Sequence, residues 1–154
     1  MYFLSLRIAV AAVALAALVT GQALADDSLV RVSSPHSVSD TVDRLAQAVE
    51  GAGAHIFARV DHAEGGERVD MDIPDNELLI FGNPALGTPV IRDAQSAGLD
   101  LPIRVVVVET DQGTVLIYRS PDALADLHGL PADHPSIAKM KGALKKLTAK
   151  AASQ

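Results

Sequence analysis

The segment Ile103–Thr110, with four consecutive valines at 105–108, constrains this chain more than any other. β-Branched side chains are stiff at χ1 and pack well on a pleated surface, so the run reads as a strand. Asp111-Gln112-Gly113 follows, and Thr114–Arg119 is a second run of strand character. The spacing predicts a hairpin closed by a three-residue loop, with Gly113 in the left-handed position.

The other segments arrange themselves around that hairpin. Leu29–Ser33 alternates and predicts a strand, His55–Val60 a second, and the short apolar run Leu78–Phe81 a buried one. Ser37 predicts a helix N-cap with Asp40 three residues on. Val38, Val42, Leu45 and Val49 share one face, and Gly51 and Gly53 end the helix. Asp61–Glu64 opens a short helical turn that Gly65-Gly66 weaken. Asn83 caps a turn with Pro84 in its first position, and Thr88-Pro89 repeats that logic. Val90, Ile91, Ala94 and Ala97 then form an amphipathic stretch closed by Gly98. Residues 122–134 read mostly as loop with some helical turn. Pro135 starts a last helix with Ile137, Met140, Leu144 and Leu147 on its apolar face and five lysines elsewhere, a plain core helix with a solvated outside. This order predicts an α+β fold: a mostly antiparallel sheet of four or five strands with two main helices on one face.

The first twenty-five residues read as a signal peptide. Arg7 and the amino terminus supply positive charge, an apolar run covers Ile8–Val19, and Ala23-Leu24-Ala25 fits the small-x-small cleavage pattern. Asp26 is then the first mature residue, and 26–150 the single domain. The run is shorter than the roughly 20 residues needed to cross a bilayer, so stable insertion after cleavage is not expected. Counted from Leu6 to Ala25 it almost spans, and an uncleaved anchor is the competing reading. The general secretory route and a bacterial periplasm or exterior follow, with no Cys for a lipid anchor and no twin arginine.

Removing Arg7 leaves twelve Lys and Arg against nineteen Asp and Glu, a formal charge of −7. That argues against nucleic acid as a partner. The absence of Cys excludes thiol redox chemistry, Cys-ligated zinc, iron–sulfur clusters and covalent haem. The absence of Trp argues against stacking platforms.

Several runs together resemble the family called domain of unknown function 302: Leu79–Pro84, Gly87-Thr88-Pro89, Leu99–Pro102, the hairpin 105–118, Leu127–Leu130 and Asp61–Gly65. The likeness covers about residues 29–148. Gly66 departs from the pattern, standing where a helix-favouring Ala is expected, which predicts a poorly formed short helix. The resemblance implies a curved antiparallel sheet and a tendency to pair as homodimers. It implies no activity and supplies no catalytic residues.

Little else carries chemistry. There is no Gly-x-Ser-x-Gly elbow and no phosphate-cradling loop, and no motif calls for a cofactor. Asp70 and Asp72 lie near Pro74 and Asp75 and read as a solvated loop. Phe81-Gly82-Asn83-Pro84 reads as a device for turning a strand into a helix, Gly82 supplying unusual backbone angles. Together with Leu101 and Pro102 it is also the candidate ligand site, at a strand end. The sharpest alternative is a metal or haem site using His62, His128 and His134 with Asp133 or Glu64. His128 and His134 stand six apart around Gly129-Leu130-Pro131, which is not one-turn ligand spacing. The leading expectation is therefore a non-enzymatic exported binding or accessory module. It would pair with a second copy and hold a small molecule or an envelope protein. The alternative is a His-dependent metal-binding protein or metalloenzyme.

Overall fold

A computed structural model describes residues 28–154. The leader and the Ala25–Asp26 junction lie outside the described residues. The elements in order are β1 (Leu29–Ser34), α1 (Val38–Gly51), β2 (His55–Asp61), α2 (His62–Glu67), β3 (Asn76–Gly82) and α3 (Pro84–Asp93). A 3₁₀ turn (Gln95–Leu99), β4 (Ile103–Thr110), β5 (Gly113–Arg119), α4 (Pro121–Leu127) and α5 (Pro135–Ala151) complete them. The five strands form one antiparallel sheet in the order β1-β5-β4-β3-β2. The fold is α+β, as the sequence predicts.

The valine run sits at the centre of the sheet. Val105 and Val107 pair with Tyr118 and Leu116 on one side and with Leu79 and Glu77 on the other. Paired residues point to the same face, so this row continues through Val30 and Val32 of β1. Helices α1 and α5 cover it. Val42, Leu45 and Val49 of α1 are fully buried, and Leu144, Leu147 and Ala151 of α5 join them. Each fully buried side chain of this size contributes about 1.5–3 kcal/mol relative to exposure. The opposite face carries Leu78, Val106 and Ile117 in one row that Arg31 extends onto β1, with Arg104 of β4 and Arg119 of β5 one pair along. Among the described residues no helix covers that row, and its aliphatic members are only half-buried.

The local signals act as their chemistry demands. Ser37 accepts from the Asp40 amide at 3.1 Å, and Gly53 takes the positive φ that ends α1. Arg44 and His36 both donate to the carbonyl of Ser153, at 2.5 and 2.8 Å, and hold the end of α5 against α1.

Five expectations change. The hairpin loop is two residues, Asp111 and Gln112: Gly113 has a positive φ but pairs with Thr110 as the first residue of β5. Thr88-Pro89 starts no second helix, because Pro89 lies inside a continuous α3. The stretch before the hairpin breaks instead at Ala94, where the backbone is extended, and Ala97 and Gly98 belong to the 3₁₀ turn. α4 occupies residues expected to be mostly loop, with Leu124 and Ala125 seated in a second apolar cluster. Finally, α2 does form, and Gly66 is part of the reason. A Cβ there would lie 2.5 Å from the carbonyl oxygen of Met71, because the chain doubles back with the Met71 and Val69 amides donating to the Gly66 carbonyl.

Candidate functional site

Two apolar clusters make up the interior. One lies between the sheet, α1 and the second half of α5. The other gathers Val90, Ala97, Leu101, Leu124, Leu130, Ile137 and Met140 beyond the end of β3 and β4. Helix α5 belongs to both, and where the clusters meet a cleft of about 240 Å³ stays open. It is lined by Phe81, Leu101 and Ile103 at the end of the β3–β4 pair, by Leu86 and Ile91 of α3, and by Met140, Leu144 and Leu147 of α5.

All six residues expected at a strand-end site line this cleft: Phe81, Gly82, Asn83, Pro84, Leu101 and Pro102. The reason is the pairing of β3 with β4. Phe81 sits opposite Ile103, which carries Leu101 and Pro102 alongside the turn out of β3. Gly82 does its work differently from the expectation. It pairs with His55 without a positive φ, and its missing side chain lets Pro102 approach, since a Cβ would sit 3.4 Å from that of Pro102. The Leu101–Pro102 peptide is cis. Asn83 is the N-cap of α3, accepting from the Ala85 amide at 2.9 Å. Sequence reasoning missed Phe57, Gly87 and Ala143 in the lining. Phe57 is the extra residue of a bulge in β2 and is half-exposed, which alternation along the strand does not reveal.

No lining residue titrates, and Asn83 spends its side-chain acceptor on the helix cap. The cleft can therefore hold apolar groups and has no group positioned for proton transfer or metal ligation.

The three histidines proposed as metal ligands are not brought together. His62 opens α2 at the Asp61–Glu77 end of the sheet, and His128 lies toward the other end, beside Asp100. His134 is buried as the N-cap of α5, where Nδ1 accepts from the Ser136 amide and Nε2 faces Asp93 at 3.2 Å. Arg92 first, and His134 second, hold the Asp93 carboxyl below the usual carboxylate range. Among the described residues no three His, Asp or Glu side chains converge as a metal site. Neither Asp133 nor Glu64 meets these imidazoles: Glu64 pairs with Arg68.

A five-stranded antiparallel sheet with its main helices on one face defines an α+β sandwich domain. Residues 30–150 match the family model described as Domain of unknown function DUF302, and the chain belongs to that family. A solved structure, the uncharacterized conserved protein DUF302 from Bacillus stearothermophilus, shares the fold with a TM-score of 0.73. The identity is 18%, over 80% of this chain and 98% of that one. The chain is also 42% identical over 106 residues to the fluoride-specific ion channel FluC 1 of Brucella suis biovar 1 (strain 1330). The same identity holds for FluC 1 of Brucella abortus biovar 1 (strain 9-941). The matched stretch is 68% of this chain but only 42% and 39% of those proteins, so the chain spans about two fifths of their length.

Proposed function

We propose that the chain is an exported binding module, cut after Ala25, that pairs with a second copy and holds a small uncharged apolar ligand in the cleft between α3 and α5. The observation that carries the reading is the cleft itself, about 240 Å³ with an almost wholly apolar lining. An engineered apolar cavity of roughly 150 Å³ takes up benzene, so this space suits a ligand somewhat larger, such as a short alkyl chain. The leader supports export, and the half-buried aliphatic face of the sheet supports pairing with a second copy.

The test is calorimetry with 1-hexanol on the wild type and on Ala143→Phe, which fills the cleft from α5. Saturable binding that weakens at least tenfold in the variant is expected, and equal binding by both proteins would remove the reading. Light scattering and amino-terminal sequencing check the rest. A strict monomer would count against pairing, and a purified envelope protein still beginning at Met1 would count against cleavage.

A second reading rests on the Brucella relatives, which are named as fluoride-specific ion channels. Among the described residues no helix is long and apolar enough to cross a membrane. We infer that the shared stretch is a non-channel portion of those proteins, and that this chain works beside a fluoride-transporting membrane protein. Deleting its gene should lower the fluoride concentration that arrests growth; unchanged tolerance would remove this reading.

A further inference from the structure

A second cluster among the described residues lies apart from the cleft and shares no side chain with it. The 3₁₀ turn presents Ser96 to solvent, and Ser96 Oγ lies 2.9 Å from Nδ1 of His128. The other ring nitrogen, Nε2, is 2.8 Å from Oδ2 of Asp100. A carboxylate accepts, so Nε2 carries the hydrogen, and Nδ1 is left with a lone pair that accepts the Ser96 hydroxyl. The carboxylate is itself held: Oδ1 accepts from Arg104 Nη2 at 3.0 Å and faces Arg119 Nε at 3.7 Å. The imidazole side chain is only 5% exposed, so packing as well as hydrogen bonding sets its orientation. A hydroxyl on a base, with the base oriented by a third group, is the arrangement that activates a serine.

We propose that Ser96 is an activated nucleophile that hydrolyses small apolar carboxylic esters, with His128 as its base and Asp100 as the residue that positions the base. Two exposed leucines give the substrate class. Leu99 is 79% exposed, the most open of the large apolar side chains described, and Leu127, at 61%, precedes His128. Side chains three apart on a 3₁₀ turn eclipse one another, which sets Leu99 on the same side as Ser96. The serine therefore stands against a small apolar surface, and the two arginines of the adjoining hollow, Arg104 and Arg119, are turned to Asp100.

The step is an ordinary acyl transfer. Ser96 Oγ adds to the ester carbonyl carbon while its proton passes to His128 Nδ1. The carbon–oxygen bond to the alcohol breaks, and the alcohol leaves with that proton. Water then adds to the acyl-serine, giving a proton to Nδ1, and the acid departs as Ser96 recovers that proton. One ester and one water become one acid and one alcohol, with no change of oxidation state.

No local motif marks this site, because Ser96 and Asp100 belong to the 3₁₀ turn and its cap while His128 caps α4, 28 residues beyond Asp100. It differs from the cleft in residues, so either proposal can fail while the other stands. The test exposes the purified chain to a fluorophosphonate probe and to p-nitrophenyl butyrate. Mass spectrometry should find the adduct on Ser96, and Ser96→Ala should abolish it and slow hydrolysis about 100-fold. Ser96 is exposed, so that variant keeps the fold. Asp100→Asn should lower kcat at least tenfold with KM nearly unchanged, the signature of a positioning residue. A chain in which Ser96 stays unlabelled, or a Ser96→Ala variant that hydrolyses the ester at the wild-type rate, overturns the proposal and leaves His128 as a tie between the 3₁₀ turn and α4.

Discussion

Gly65 and Gly66 sit side by side in α2, and the fold predicts opposite outcomes for replacing them with alanine. Helix propensity treats the two alike, since Gly→Ala in a helix stabilises by about 0.5–1 kcal/mol. The surroundings do not. A Cβ on Gly65 meets nothing within 4 Å, whereas one on Gly66 would stand 2.5 Å from the Met71 carbonyl oxygen. That oxygen is backbone, and the Met71 amide is bonded to Gly66 itself at 3.0 Å, so relief requires the returning loop to shift by about half an ångström. Forcing such a shift costs about 1–3 kcal/mol. No residue of α2 is buried, so local opening limits the loss toward the lower end of that range. For a domain of roughly 130 residues, 1 kcal/mol corresponds to about 4 °C in Tm. Gly65→Ala should therefore raise Tm by about 2–4 °C, and Gly66→Ala should lower it by about 4–8 °C. Thermal unfolding followed by circular dichroism reads both, and hydrogen exchange of the Met71 amide reports whether the loop has opened locally. A Gly66→Ala protein that melts at or above the wild type would refute the steric argument and return α2 to simple propensity.

Three further outcomes follow from the geometry. Leu144→Ala, at a side chain 2% exposed between the main cluster and the cleft, should cost about 2–5 kcal/mol in urea unfolding, with part of the lost Tm recovered by added 1-hexanol. Asn83→Ala removes the cap on the Ala85 amide and should cost about 1 kcal/mol by the same measurement. Burial raises the Tyr118 phenol above its ordinary value, against a smaller opposing effect of its hydrogen bond to Thr148. Because the folded value is the higher one, this contribution is fully present below the unfolded tyrosine value of about 10 and is lost as pH climbs through the folded value. Urea unfolding of wild type and Tyr118→Phe from pH 9 upward should show a steeper alkaline loss in the wild type, and parallel curves would contradict the assignment.

What could be read from sequence divides along a physical line. Periodicity and capping are local, so α1, α5 and the β4–β5 hairpin were legible, down to Ser37 and the Gly53 stop. β3 begins at Asn76, two residues before its apolar run, and the polarity of Asn76 and Glu77 hides that start. Only the ion pair from Arg59 Nε, at 2.5 Å, shows why a Glu 9% exposed can lie in the covered face. α4 is hard to read for a different reason: its buried residues, Pro121, Leu124 and Ala125, do stand at i, i+3 and i+4, but seven residues that open on a proline are too short for the period to declare itself. Propensity alone misjudges Gly66, whose constraint comes from Met71, five residues away. The six strand-end residues stand out as a motif, yet what they enclose depends on α5, which begins only at Pro135.

The cleft has a cause in residue size. Protein interiors pack about as densely as organic crystals, so a seam left open between two apolar clusters is a departure that forfeits contacts. Small residues line this one at Ala54, Gly87 and Ala143, on the β2 approach, α3 and α5. A Cβ on Gly87 would still be 4.0 Å from Leu101, so the space exists because side chains are missing and not because backbones are held apart by bulk. The helices that wall it are fixed at one end by His134, which caps α5 while facing Asp93 at the end of α3. A larger side chain at 87 or 143 would close the seam with only a local change. That the chain keeps the space open while anchoring its walls argues for the cleft as a place for a ligand, because an unoccupied apolar seam gains nothing for the fold that a leucine at either position would not supply.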